Sequence, residues 1–266
     1  MMNNYIVTCD KTAWILNTTI HLYNKYCDSM FDICTPIILG FTERPKTLDN
    51  CIFMSIKDKQ ETIQTWTRDL YNVIKEDKNE FCIFSLDDYL PIDYFNKDIY
   101  EKVFKLMESN ENIVRYEFSY GASQKKEIEI IENHDTFKIF KLAQTAPYRI
   151  SCQISLWRTK HLLSYLNNDW TPWEFEIKGS KLAYNDGKEV IGTLENHCMR
   201  YIEESALSNR HPGWINVLGL KHKDREELIK LGYIDENKIQ YGMAKGDNPK
   251  EFDINKIGMK YLKFYR

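Results

Sequence analysis

Glycine is scarce in this chain, with 11 in 266 residues, and it never falls into a GxGxxG or GxxxxGK pattern. That absence weighs against enzymes that wrap a phosphate in a glycine-rich loop of backbone N–H groups. Positive charge is not in excess either: 36 Lys and Arg stand against 39 Asp and Glu, for a net charge of −3 at pH 7. Such a balance excludes the overall basic field of non-specific nucleic-acid binders, while leaving room for a local basic groove. No segment approaches the roughly 18 uninterrupted apolar residues of a membrane helix. The start, "MMNNYIVTCDK", has no basic stretch followed by a long apolar one, as a secretory signal would. The seven cysteines are odd in number and never form CxxC, which suits reduced, buried thiols better than a disulfide framework. A soluble cytoplasmic protein without a membrane span is the expectation.

What the chain does have is apolar residues, 43% of the total, enough for a packed core in one large domain or one domain with an appendage. Apolar runs predict strands at Tyr5–Thr8, Ile33–Phe41, "CIFMS", Phe81–Leu86, "IVRYEFS" and "DTFKIFKLA". Pro36 argues that the second of these is an edge strand or starts late. Helical spacing predicts helices from about Ile15 to Tyr26, over Asp58–Glu76, at "DIYEKVFKLMESN", over Ile154–Asn168 and at "DREELIKLGY". "KLAYN" and "KEVIGT" flank "NDG", a hairpin-like signal. Alternation of strands and helices over the first 165 or so residues favours an α/β sheet covered on both faces.

In "FCIFSLDDYLP" an apolar strand ends abruptly in two carboxylates, Asp87 and Asp88. Ligands of open α/β sheets bind outside the carboxyl ends of strands. Adjacent like charges there are costly without a positive partner, and a hard divalent cation such as Mg2+ or Mn2+, which prefers oxygen ligands, would supply one. A plain turn with an Asp cap is the structural alternative. Further on, Trp157, Trp170 and Trp173 fall close together, with Glu174 and Glu176 directly after them. Aromatic faces beside carboxylates suit sugars, and a carboxylate so placed is a candidate general base. Trp157, expected on a helix among leucines, reads equally well as core, whereas Trp173 is expected in a loop. In an extended segment Glu174 and Glu176 would share one face, so residue type does not separate them.

The order "LDDYLP", then Gln-x-x-x-Trp running into a leucine-rich stretch ("QISLWRTKHLLSYL"), then Pro-Trp-x-x-Glu ("TPWEFE") resembles a family of small glycosyltransferases with the GT-A fold. The likeness covers roughly Tyr5 to Ser180. It implies a GT-A-like, Rossmann-like mixed sheet in a catalytic domain of residues 1–180, with residues 181–266 as an extension packing on it. It also implies a nucleotide-sugar donor and a bound Mn2+ or Mg2+. By that likeness Asp88 holds the metal, with Asp87 sharing it or lying near the ribose. Thr8, Asp10 and Lys11 cradle base and ribose, with Trp14 as a stacking surface or, equally, a residue packing the first helix. Arg68 matches a basic position facing the nucleotide. Glu176 is the base, with Glu174 as competitor, and the geometry implies inversion at the anomeric carbon. Gln153, Trp157 and Trp173 line the acceptor or sugar pocket. His211 is the favoured further metal ligand over His197, water being the alternative.

Two other readings of the same residues stay open: a nucleotidyltransferase hanging its metal on the paired acids, and a non-enzymatic carbohydrate-binding module with tryptophans as its platform. The acceptor, whether a glycan, a lipid-linked sugar, a protein or a modified nucleic-acid base, is not resolved by the sequence, nor is the donor base.

Overall fold

The computed structural model describes residues 1–48, 50–59, 62–118, 128–194, 198–201, 215–216 and 220–240. They fall into two compact units, Met1–Tyr201 and Ile202–Arg266. In the first unit the chain runs β1 (Met2–Val7), α1 (Leu16–Tyr26), β2 (Cys34–Gly40), β3 (Ile52–Ser55), α2 (Trp66–Ile74), β4 (Phe81–Leu86) and β5 (Tyr89–Pro91). It continues through α3 (Lys97–Ser109), β6 (Ile113–Glu117), β7 (Ile128–Asn133), β8 (Lys138–Leu142), β9 (Ser155–Arg158), α4 (Thr159–Leu166), α5 (Pro172–Leu182), β10 (Glu189–Thr193) and β11 (Met199–Tyr201). The second unit holds β12 (Ile215–Asn216), which pairs in parallel with β13 (Ile239–Gln240), and α6 (His222–Lys230) between them.

The expected mixed α/β sheet is present. Nine strands lie in the order β3-β2-β1-β4-β9-β6-β10-β8-β7. The four from β3 to β4 are parallel, β9 runs antiparallel between β4 and β6, and β7–β8 form an antiparallel pair at the far edge. Successive strand residues point to opposite faces. On one face Tyr5, Val7, Ile37, Leu39, Cys82 and Phe84 pack with Trp66 and Leu70 of α2, Leu162 and Leu166 of α4 and Phe175 of α5. On the other, Ile38 meets Leu16 and Ile20 of α1, and Phe81 stands edge-on to Phe104 of α3. Because helices cover both faces, the parallel strands read as nearly continuous apolar runs rather than alternating ones.

Several expectations need correction. Residues 154–168 are not one helix: Ser155–Arg158 is strand β9, wedged between β4 and β6, and only Thr159–Leu166 is helical. The helix expected over Asp58–Glu76 is shorter, Trp66–Ile74, preceded by a 3-10 turn. "NDG" turns no hairpin. "KLAY" belongs to the end of α5 and the turn after it, and "EVIGT" is β10, paired with β6 and β8. The proposed division after residue 180 therefore falls inside the first unit, since β10 belongs to its sheet. Strand β7 was not anticipated. Pro36 lies in an interior strand, one residue before the ladder to β3 begins at Ile37, so there it behaves as an edge residue on that side.

Candidate active site

Chain order gives this sheet a switch point. From β1 the chain steps to β2 and β3 on one side, while β4 joins β1 on the other. Where strand order reverses in this way, the loops leaving the two strands diverge and leave a ligand-sized gap at their carboxyl ends. Thr8 follows β1 there, and Asp87 follows β4. The two touch: the Thr8 hydroxyl donates to Asp87 Oδ2 at 2.5 Å, and the Thr12 hydroxyl donates to the same oxygen at 2.7 Å. The Asp87 backbone N–H donates to the Val7 carbonyl at 3.0 Å, and the Thr19 hydroxyl of α1 to the Asp87 carbonyl at 2.8 Å. The acidic tip is thus bolted to β1 and α1 rather than hanging in solvent.

Asp87 and Asp88 are 5% and 6% exposed. Burial pushes the Asp87 carboxyl up to about 6, against the opposing pull of the Thr8 and Thr12 hydroxyls. A pair of enclosed carboxylates with hydroxyl neighbours is an all-oxygen donor set, which fits a hard divalent cation. Among the described residues no group of three His, Cys, Asp or Glu forms a complete protein shell. Phosphate and water commonly complete the shell of a cation such as Mg2+ held by one or two carboxylates. His211 and His197 lie outside the described residues.

The second carboxylate locus is α5. Thr171 caps this helix by accepting from the Glu174 N–H, Pro172 occupies its first turn, and the Glu174 side chain accepts from the Thr171 N–H in return. This corrects two expectations. Trp173 is in the first turn of a helix, not in a loop, and Glu174 and Glu176 do not share a face, being about 200° apart around the axis. Glu174 points outward to Lys178 at 2.8 Å, and that ammonium together with the Thr171 N–H lowers its pKa to about 2. Glu176 turns inward, where its Oε1 accepts from the Cys152 N–H at 2.9 Å. The Cys152 thiol ties the two loci together. Burial raises its pKa, and the charges of Glu176 and Asp88 raise it further, against Arg115. Glu176 thus bonds the Cys152 backbone, and the charges of Glu176 and Asp88 both act on the Cys152 thiol.

The remaining expected site residues differ in exposure and partners. Gln153 sits half-buried beside Cys152, and Trp173 is 58% exposed. Lys11 is exposed and Trp14 half-buried in the turn that leads from β1 to α1. Asp10 is engaged by the loop after β2: Oδ1 accepts from the N–H groups of Thr42 and Glu43, and Oδ2 from the Thr42 hydroxyl. Although burial works against its charge, those bonds lower its pKa. Arg68 reaches the loop before α5, donating to Asn167 at 2.5 Å and to Asp169 at 3.3 Å. Trp157 corrects the pocket expectation. It is completely buried in β9, paired with Cys82 and Arg115, and so packs the core instead of facing a ligand.

Sequence reasoning missed two residues. Thr12 follows Thr8 by one turn's spacing, a signal hidden in "TCDKT". Arg115 is a charge inside the apolar strand "IVRYE" and is fully buried.

No family model matches the chain, and no curated protein matches it by sequence. Among solved structures, S. aureus TarS 1–349 superposes with a TM-score of 0.46 at 15% identity, covering 75% of this chain and 60% of that one. The mannosyltransferase PcManGT from Pyrobaculum calidifontis, in complex with GDP-Man and Mn2+, gives 0.46 at 8% identity, covering 71% and 53%. A UDP-glucose pyrophosphorylase complexed with UDP-glucose gives 0.39 at 12% identity, covering 75% and 92%. The chain thus spans little more than half the length of the first two. At such scores and identities these likenesses carry no weight for its chemistry.

Proposed function

We propose that this chain is a glycosyltransferase that moves a sugar from a nucleotide-sugar donor to an acceptor hydroxyl, with inversion at the anomeric carbon. The observation that supports the reading is at the switch point: Thr8 is hydrogen-bonded to Asp87 with Asp88 next in the chain, while Glu176 bonds the backbone of Cys152, whose thiol feels the charges of both Asp88 and Glu176. The motif resemblance assigns roles to these same positions.

In this reading the nucleotide lies in the crevice past Thr8, Lys11 and Trp14, and Asp10 holds the loop that walls it. Asp88, with Asp87, holds Mn2+ or Mg2+, which when bound offsets charge on the leaving diphosphate. Glu176 takes the proton from the acceptor hydroxyl as its oxygen bonds the anomeric carbon, while the bond from that carbon to the diphosphate oxygen breaks. Gln153 and the exposed face of Trp173 border the acceptor side. Glu174, already committed to Lys178 and the helix cap, is not the base. His211 remains a proposed further ligand, and Arg68 acts through the loop before α5.

The test is a thermal shift with UDP, GDP, CDP and their sugar conjugates, each with and without Mn2+, followed by product analysis. A nucleotide at about 100 times its dissociation constant adds roughly 2.7 kcal/mol, about 5–10 °C for a chain of this size. The expected outcome is a metal-dependent rise with one nucleotide, lost in Asp88→Asn. Nucleoside diphosphate is the expected product, and Glu176→Gln is expected to slow transfer by about 10²- to 10⁴-fold while keeping the shift. Release of pyrophosphate would replace the reading with a nucleotidyltransferase. No shift with any nucleotide would favour a carbohydrate-binding module, whose platform would then lack Trp157, buried in the core, and rely on the exposed Trp173.

A further inference from the structure

Arg115 sits in the middle of β6 with no exposed surface, and burying a guanidinium is expensive unless its donors are met. Here they are met in a particular way. Nε donates to the Ser155 hydroxyl at 3.0 Å, Nη1 to the Arg149 carbonyl at 2.7 Å and Nη2 to the Ser151 hydroxyl at 2.7 Å. Nη1 also pairs with Glu117 at 3.0 Å, and the group lies over the Trp157 ring, 5.0 Å from its centre. Three of these partners belong to residues 149–155, the segment that ends the irregular stretch between β8 and β9.

That segment is the surface on which α5 rests. Ile150 exchanges both of its backbone hydrogen bonds with the Ser180 hydroxyl, each at 3.1 Å, and Cys152 gives its N–H to Glu176. Arg115 grips the segment on both sides of Cys152. Its fork thereby fixes the Cys152 N–H that donates to the Glu176 carboxylate.

We infer that Arg115 is a positioning residue for Glu176, acting through the Cys152 N–H; the inference rests on the function proposed above. Lysine would keep the charge but not the fork, because a single ammonium does not span three acceptors set along seven residues. A guanidinium that merely held the core together would lower stability and leave turnover of the folded protein unchanged.

The experiment compares wild type, Arg115→Lys, the milder Ser151→Ala, Glu176→Ala and the double variant Arg115→Lys/Glu176→Ala. It measures kcat and donor KM on protein shown to be folded by its thermal midpoint, together with amide hydrogen exchange over residues 149–155. The expected result is a fall in kcat of about 10- to 100-fold for Arg115→Lys, of the size a displaced catalytic group produces. A smaller fall is expected for Ser151→Ala, with donor KM within about twofold in both, since chemistry and not donor binding is affected. Exchange at Cys152 should quicken. In the Glu176→Ala background Arg115→Lys should add no further loss, because effects that act through one group do not add. An unchanged kcat in both single variants, or a full additional loss in the double variant, would overturn the inference. Should the wild type transfer no sugar, the proposed function fails separately. Hydrogen exchange then still decides whether Arg115 holds Cys152, and unchanged protection in Arg115→Lys would refute the clamp.

Discussion

Glu174 and Glu176 are two positions apart on one helix, yet have opposite environments. Glu174 stands in a capping box with Lys178 as its ion partner, while Glu176 meets a buried N–H beneath the helix. Glu174→Gln should therefore leave transfer within about twofold of wild type, since it faces away from the site; a loss comparable to that of Glu176→Gln would move the base assignment. His161 gives a second prediction. It stacks on Trp157 and meets Tyr165 edge-on, and its burial depresses its pKa to about 4. A histidine whose folded pKa is depressed binds its proton in the unfolded chain first. Its contribution is complete above about 6.5 and is lost as the pH falls toward 4. His161→Phe, keeping an aromatic in the stack, should flatten the stability profile between those pH values in chemical denaturation, while other carboxylates keep their own slopes.

At the scale of elements, α5 acts as the plate that presents Glu176. Phe175, Gly179 and Ala183 recur every four residues along its buried face, and glycine is there for lack of space. A β-carbon on Gly179 would lie 2.9 Å from Ile150 Cγ2, on the segment that also carries Cys152. Alanine is the better helix former by about 1 kcal/mol. Overpacking works against that by ~1–3 kcal/mol. Gly179→Ala is therefore expected to lower the thermal midpoint and to reduce kcat by pushing α5 off residues 150–152. A raised midpoint would show that the helix and the segment adapt freely to each other.

Across the whole molecule, the thiols report where the chain is open. None of the seven cysteines, all among the described residues, is in a disulfide; Cys9 and Cys51 are half-buried and the other five are buried. Burial raises the pKa of all five enclosed thiols, Cys27, Cys34, Cys82, Cys152 and Cys198, and so withholds the reactive thiolate. Titration with a thiol reagent should modify two groups quickly in the native protein and seven in denaturant. Cys9 Sγ lies 3.4 Å from the Thr12 hydroxyl that bonds Asp87, so a nucleotide in the crevice should slow its modification and leave Cys51 unaffected. Equal protection of both would place the nucleotide elsewhere or report a general tightening of the fold.

Much of this was legible in the chain itself. The strands β1, β2, β3, β4, β6 and β8 and the helices α1 and α3 follow from local apolar periodicity, because strands buried on both faces and amphipathic helices write their burial into consecutive residues. The acidic pair at the end of β4 was legible for the same reason: charges interrupting an apolar run stand out. Tertiary structure alone decided the rest. "ISLWR" reads as helix because it abuts "TKHLLSYL", and only the gap between β4 and β6 makes it a strand. The phase of Glu174 and Glu176 is written locally in the capping box of "TPWE", but only the fold sets the Cys152 N–H beneath Glu176. Thr12 and Arg115 gained meaning from partners far along the chain, at Asp87 and at residues 149–155. Patterns over neighbouring residues encode which groups must leave water, whereas a site depends on which groups meet after they have left it.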